Sequence, residues 1–151
     1  MTEHRAALHW KRTSSDFAYD TYNREHTIAF KNGSIVVPGS AAPEFKGDGT
    51  GADPEEQFVA ALSACHMLTF LAVAARKRLA VDTYDDDARG HLEKGKDGKF
   101  RVTSVTLRPR VRFGADTNVD SPTLDELHRL AHNGCFIANS VTTTVTVEPQ
   151  S

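Results

Sequence analysis

Residues 53–79 read DPEEQFVAALSACHMLTFLAVAARKRL, and this stretch predicts one long helix around which the rest of the chain can be placed. Asp53 suits the N-cap, Pro54 the first helical position, and Glu56 closes a capping box; Glu55 and Glu56 also complement the positive end of the helix dipole. From Phe58 to Ala75 the residues are apolar or small on every side, which calls for burial all round. Arg76, Lys77 and Arg78 suit the negative C-terminal end. At about 1.5 Å per residue the element would be roughly 40 Å long, as long as a small domain is wide. Cys65 stands at its centre, beside Ser63 and His66.

A run this apolar has to be tested as a membrane span, which takes about 20 apolar residues. Gln57, Ser63, His66 and Thr69 interrupt it, and much of the remainder is alanine. There is no second hydrophobic stretch and no signal-peptide pattern, so the expectation is the core helix of a soluble, cytoplasmic protein with no membrane partner. The 151 residues suit a single domain spanning 1–151, and 39% hydrophobic content is adequate for a core. A net charge of −2 without a basic stripe argues against nucleic acid as a partner. Two cysteines without an export signal fit a compartment in which thiols are kept reduced.

Upstream of the helix, Ala6, Leu8 and Trp10 alternate with Ala7, His9 and Lys11 as in an edge strand. HTIAF and SIVVP flank Lys31-Asn32-Gly33, and an Asn-Gly pair between β-prone runs predicts a hairpin. The stretch 38–53, rich in Gly, Pro, Ser and Asp, reads as a loop long enough to line something. Downstream, residues 81–93 and 100–113 read as strands joined by a turn at Asp97-Gly98. Val105 and Leu107 share a face, Val111 and Phe113 follow beyond Pro109, and that proline implies an edge or a bulge. Ser121-Pro122 or Thr123-x-x-Glu126 starts a second helix that stops near Gly134, and Val141, Val145 and Val147 mark a last half-buried strand. The order of elements is that of an α+β fold, with antiparallel sheet packed around the long central helix. That helix has more apolar surface than short strands can cover, and Ala60, Ala61, Ser63 and Ala64 would admit a close two-fold partner, so a homodimer is expected.

Two residue sets could carry chemistry. Cys65 in a helix interior and Cys135 just beyond Gly134 are each, alone, ordinary space-filling residues; together, in a chain with no other cysteine, they make a candidate redox pair. The rival is a metal or binding module: His128, His132 and Cys135 form H-x3-H-x2-C, a spacing compatible with zinc, with Cys65 or His66 as a fourth ligand. A non-enzymatic dimeric binding module with both cysteines merely buried is a third reading.

The segments YNREH, DPEEQFVAALSACHMLTFLA and AHNGCFIANSV, in this order and with these separations, resemble the OsmC/Ohr superfamily, the osmotically inducible protein C and organic hydroperoxide resistance proteins. The resemblance spans nearly the whole chain. It implies an intertwined homodimer and a cofactor-free thiol peroxidase that reduces alkyl or fatty-acid hydroperoxides and is regenerated by a dithiol such as dihydrolipoamide. Cys65 matches the family's peroxidatic cysteine, Cys135 its resolving cysteine, and Glu55 the carboxylate that orients an arginine, for which Arg24 of YNREH is the match. In that scheme Cys65 becomes a sulfenate and then a disulfide with Cys135. The forked guanidinium would favour the thiolate and stabilise the departing alkoxide. Glu55 lies ten residues, roughly 15 Å, before Cys65 on the helix, so it would act through Arg24 or on a partner chain. Phe45, Phe58, Met67 and Phe136 are the apolar residues expected to select an organic peroxide.

Overall fold

The capping box forms as the sequence dictates. The Asp53 amide donates to Glu56 Oε2 at 3.0 Å, and the Glu56 amide donates to Asp53 Oδ1 at 2.7 Å. In the computed structural model, which describes all 151 residues, helix α1 accordingly runs Pro54–Arg76. It stops three residues before the expected end because Arg78 adopts a left-handed conformation, φ 60°, and the Leu79 amide folds back to the Ala74 carbonyl at 2.9 Å. All-round apolar character does not become all-round burial within the chain. Leu62, His66, Phe70 and Ala74 are buried, whereas Ala60, Ala61, Ala64, Leu68, Ala72 and Ala75 are exposed. By length and composition α1 could cross a membrane.

The chain divides into two compact units, Met1–Gln57 and Phe58–Ser151. In the first, β1 (Ala7–His9), β2 (His26–Phe30) and β3 (Ile35–Gly39) form an antiparallel sheet in that order. The β2–β3 hairpin turns through a short 3-10 segment at Lys31–Gly33, with Asn32 at φ 54° and Gly33 at φ 89°, so the Asn-Gly signal is realised. The following loop returns to the sheet. Gly39 bridges Ala52, and a Cβ on Gly51 would lie 2.6 Å from the Gly39 carbonyl carbon, so this crossing requires glycine.

In the second unit, two long extended stretches each break in the middle and change sheets. Residues 81–94 divide into β4 (Val81–Asp86) and β5 (Arg89–Lys94), and residues 100–113 into β6 (Phe100–Leu107) and β7 (Pro109–Phe113). β4 pairs with β7, while β5 pairs with β6, both antiparallel. Pro109 sits where the change occurs, as a residue without a ladder donor should. Asp86 holds the corner by accepting from the Arg108 amide at 2.6 Å. The last strand, β8 (Thr144–Val147), adds to β6 in parallel, which makes that sheet mixed.

This corner also divides the core. Val105 and Leu107 on one side pack with Leu62, Val145 and Val147; Val111 and Phe113 on the other pack with Phe70, Ala74, Leu127 and Ala131. Helix α2 (Ser121–Gly134) supplies the last two of these. Its N-cap is Asp120, one residue before the expected start, with Oδ1 accepting from the Thr123 amide at 2.9 Å and Pro122 in the first turn.

Candidate functional site

Cys135 is placed by the end of α2. It is the C-cap residue, its amide donating to the His132 carbonyl at 3.3 Å, and the chain then turns tightly through CFIANS. That turn is closed by the Asn139 amide donating to Cys135 O at 3.0 Å and by Asn139 Nδ2 donating to Asn133 O at 3.0 Å. Within it the Cys135 thiol is 1% exposed, and its Sγ accepts from the Ala138 amide at 3.4 Å. Cys65 sits mid-helix and partly buried, and its carbonyl accepts from Thr69 Oγ1 at 2.8 Å.

Cys65 and Cys135 are electrostatic neighbours. Burial pushes the Cys135 thiol above the ordinary cysteine range; the Ala138 amide opposes this, and Cys65, as a hydrogen-bonding and electrostatic neighbour, reinforces it. Both thiols are free. The pair is asymmetric: Cys65 is only partly buried, whereas Cys135 is enclosed and its thiol is held in the protonated form by burial. A nucleophile and a resolving thiol divide in this way.

The neighbouring residues carry polar contacts that the sequence did not reveal. Ser63 Oγ donates to Asp86 Oδ2 at 2.5 Å, tying the helix turn before Cys65 to the corner of the second unit. His66, next in sequence to Cys65, is 1% exposed and pairs with His128, 4% exposed, at 3.1 Å between Nε2 and Nδ1. Burial holds both imidazoles down to about 4, with the other histidines also lowering His66, while Asp125 and Asp86 pull His128 upward. Nothing in the spacing could have signalled a pair 62 residues apart.

His128 is thereby committed to His66, and no group of three or more His, Cys, Asp or Glu side chains stands where it could hold a metal ion. The H-x3-H-x2-C spacing therefore does not converge on a metal site.

Arg24, Glu55 and Phe45 belong to the first unit. Arg24 lies over the Tyr22 ring, 3.6 Å from its centroid, and its two η nitrogens donate to the carbonyls of Tyr22 and Tyr19 at 2.5 Å each. Asn23 anchors the same segment: it accepts from the Thr13 amide at 2.8 Å and donates to Lys11 O at 3.0 Å. Around the guanidinium, Leu8, Trp10, Phe17, Tyr22, Ala41 and Pro54 wall a cavity of about 540 Å3 that also takes in His26 and Ser40. Glu55 lies in the first turn of α1. Phe45 ends a short 3-10 turn, Pro43–Phe45. The 38–53 loop does line a cavity, of about 550 Å3, between Val37 and Glu56.

In the second unit Phe58 packs on the Leu62 core and edges a separate cavity with Arg101 and Thr143. Met67 is half-buried, and Phe136 is 81% exposed immediately beyond Cys135.

The family model for OsmC-like proteins matches residues 47–150. An OsmC-like protein of unknown function from Vibrio cholerae is 45% identical and superposes with a TM-score of 0.93, covering 99% of this chain and 100% of its own. The organic hydroperoxide resistance protein OhrB of Bacillus subtilis shares the fold at TM-score 0.71 and 20% identity, over 99% and 98% of the two chains. An uncharacterized Bacillus subtilis protein, YmaD, is 25% identical over 120 residues, 79% of each chain.

Proposed function

Since the chain belongs to the OsmC-like family, we propose that it is a thiol peroxidase that reduces organic hydroperoxides, alkyl or fatty-acid, in defence against peroxide stress. The observation that supports this reading is that the partly buried Cys65 is the neighbour of a buried Cys135 whose thiol is raised by burial. The organic hydroperoxide resistance proteins among the structural neighbours support it at the level of the family.

The Cys65 thiolate attacks one peroxide oxygen, the O–O bond breaks, and the alkoxide leaves as an alcohol once protonated. Cys65 is left as a sulfenic acid. Cys135 then attacks the Cys65 sulfur, water departs, and a disulfide remains for an external dithiol of the dihydrolipoamide type to reduce. Ionising a thiol of pKa about 8.5 gains only about thirty-fold at neutral pH, roughly 2 kcal/mol. The rest has to come from positioning the peroxide and from stabilising the alkoxide, the roles we give to Arg24 with Glu55 as its orienting carboxylate. Apolar selection falls to Phe45, Phe58, Met67 and Phe136. The working assembly is a homodimer in the cytoplasm.

The test is turnover of cumene hydroperoxide, a fatty-acid hydroperoxide and hydrogen peroxide, each with dihydrolipoamide and with thioredoxin. Cys65→Ser should abolish consumption; Cys135→Ser should consume about one equivalent and stall as a sulfenate open to overoxidation. Sustained turnover by Cys65→Ser would sink the assignment.

A further inference from the structure

The seam between α1 and α2 is apolar, built on Phe70, Ala74, Leu127 and Ala131, yet it encloses the imidazoles of His66 and His128. Their planes lie 10° apart and their centroids 5.4 Å. The centroid separation equals the 3.1 Å N···N distance plus two ring radii, so the rings meet end to end with the hydrogen bond in both ring planes. This is the most directional arrangement two imidazoles can make. The His128 ring also rests on Phe70, 4.5 Å between centroids, which fixes its tilt.

The pair costs stability. His66 Nδ1 and His128 Nε2 are buried without partners. Whichever ring donates, one donor and one acceptor stay unpaired, and each is desolvated without a partner. Leucines would fill the same space without that cost. What leucines lack is direction, because an apolar seam tolerates small slides that a linear hydrogen bond does not. The position of the pair makes such slides matter. His66 adjoins Cys65, and His128 stands two helical turns before Cys135, the residue that caps α2.

We propose that the His66–His128 hydrogen bond is a positioning clasp that fixes α2 lengthwise against α1 and so holds the Cys135 thiol on Cys65 for disulfide closure. The clasp rests on the redox reading of the two cysteines. In the step it serves, a Cys135 sulfur lone pair forms the S–S bond, the Cys65 S–O bond breaks, and the departing hydroxide leaves as water with the Cys135 proton. The sulfenic sulfur is reduced and the Cys135 sulfur oxidised by one unit each, so both reach the disulfide level and no outside oxidant is needed. Neither histidine touches the peroxide in this scheme, so both are positioning residues.

The experiment measures disulfide closure after one equivalent of cumene hydroperoxide, with dimedone trapping of the sulfenate as a competing readout. The double variant His66→Leu with His128→Leu removes both partners at once and should melt at or above the wild-type temperature. Its closure should nevertheless slow by about tenfold to a hundredfold, with dimedone adduct accumulating. Gln places its amide near the Nε2 position and Asn near the Nδ1 position, so His66→Gln with His128→Asn should recover most of the closure rate. The exchanged pair, His66→Asn with His128→Gln, should not. Closure at the wild-type rate in a folded double-leucine variant overturns the clasp alone, as does a Gln/Asn pair no faster than the exchanged one. A wild-type protein that forms the sulfenate but never the disulfide overturns both the clasp and the resolving role of Cys135.

Discussion

At the scale of single residues, the two cysteines differ in access more than in their partners. Cys135 is buried at its own CFIANS turn and its thiol raised by burial, whereas Cys65 is only partly buried. Iodoacetamide at neutral pH should therefore label one thiol of the folded protein, Cys65, and two after denaturation; equal labelling of both native thiols would contradict the asymmetry. Arg24 offers a second prediction. Its planar group stacks on Tyr22 while both η nitrogens reach carbonyls, contacts that a lysine ammonium cannot reproduce together. Arg24→Lys should thus resemble Arg24→Ala in peroxide turnover measured at a pH where the nucleophile is fully ionised, with both well below wild type. Full activity in Arg24→Ala would return this arginine to a purely structural role. The cysteines could be picked out from the sequence because only two exist and a motif surrounds each. The Ser63–Asp86 and His66–His128 contacts could not, since their partners come from distant strands and helices that only the folded chain brings together.

At the scale of elements, legibility follows the range of the interaction that makes each signal. Asp53-Pro54-x-Glu56 and Asn32-Gly33 act within a few residues, and both the cap and the hairpin form where the sequence places them. The breaks at Asp87-Ala88 and Arg108 depend on β4 to β7 pairing as one bent ribbon, and Pro109 alone announced only an irregularity. Asp53→Ala should remove the cap and cost about 1 kcal/mol, read as a lowered melting temperature. The seam between α1 and α2 carries a pH dependence. Burial holds His66 and His128 down to about 4 in the folded chain against 6.5 for an ordinary histidine, so the unfolded chain binds more protons between those limits. Stability is then fully present above about pH 6.5 and falls as pH drops toward 4, by on the order of 3 kcal/mol for each histidine. The groups acting on the pair are His132 and Asp125 of α2 and Asp86 of β4. The double-leucine variant should lose this slope in urea melts taken from pH 7 to pH 4; an unchanged slope would place its origin elsewhere.

At the scale of the whole molecule, α1 has two faces with different owners. Positions 62, 66, 70 and 74 lie on one side and are buried by the chain's own strands and by α2, while positions 61, 64, 68, 72 and 75 lie opposite and are exposed, Leu68 at 62%. Lipid is a poor candidate to cover the second face, because the first is already committed to a core of polar-edged strands and to a helix bearing Asp125, Glu126 and Arg129. A second copy of the same stripe fits better. Four of the five residues are alanine, which allows two helices to approach closely about a two-fold axis, with Leu68 as the one bulky knob at the centre. Cys65 lies beside this stripe, so a partner subunit would also shape the entrance to the thiol. Sedimentation at micromolar concentration should therefore give a dimer that dissociates only on unfolding. Leu68→Glu would place two carboxylates at the centre of the interface and should give either a monomer with a melting temperature well below wild type or an aggregate. A folded wild-type monomer at micromolar concentration, or a Leu68→Glu protein that sediments as the same dimer with unchanged stability, would show that this face meets something other than itself.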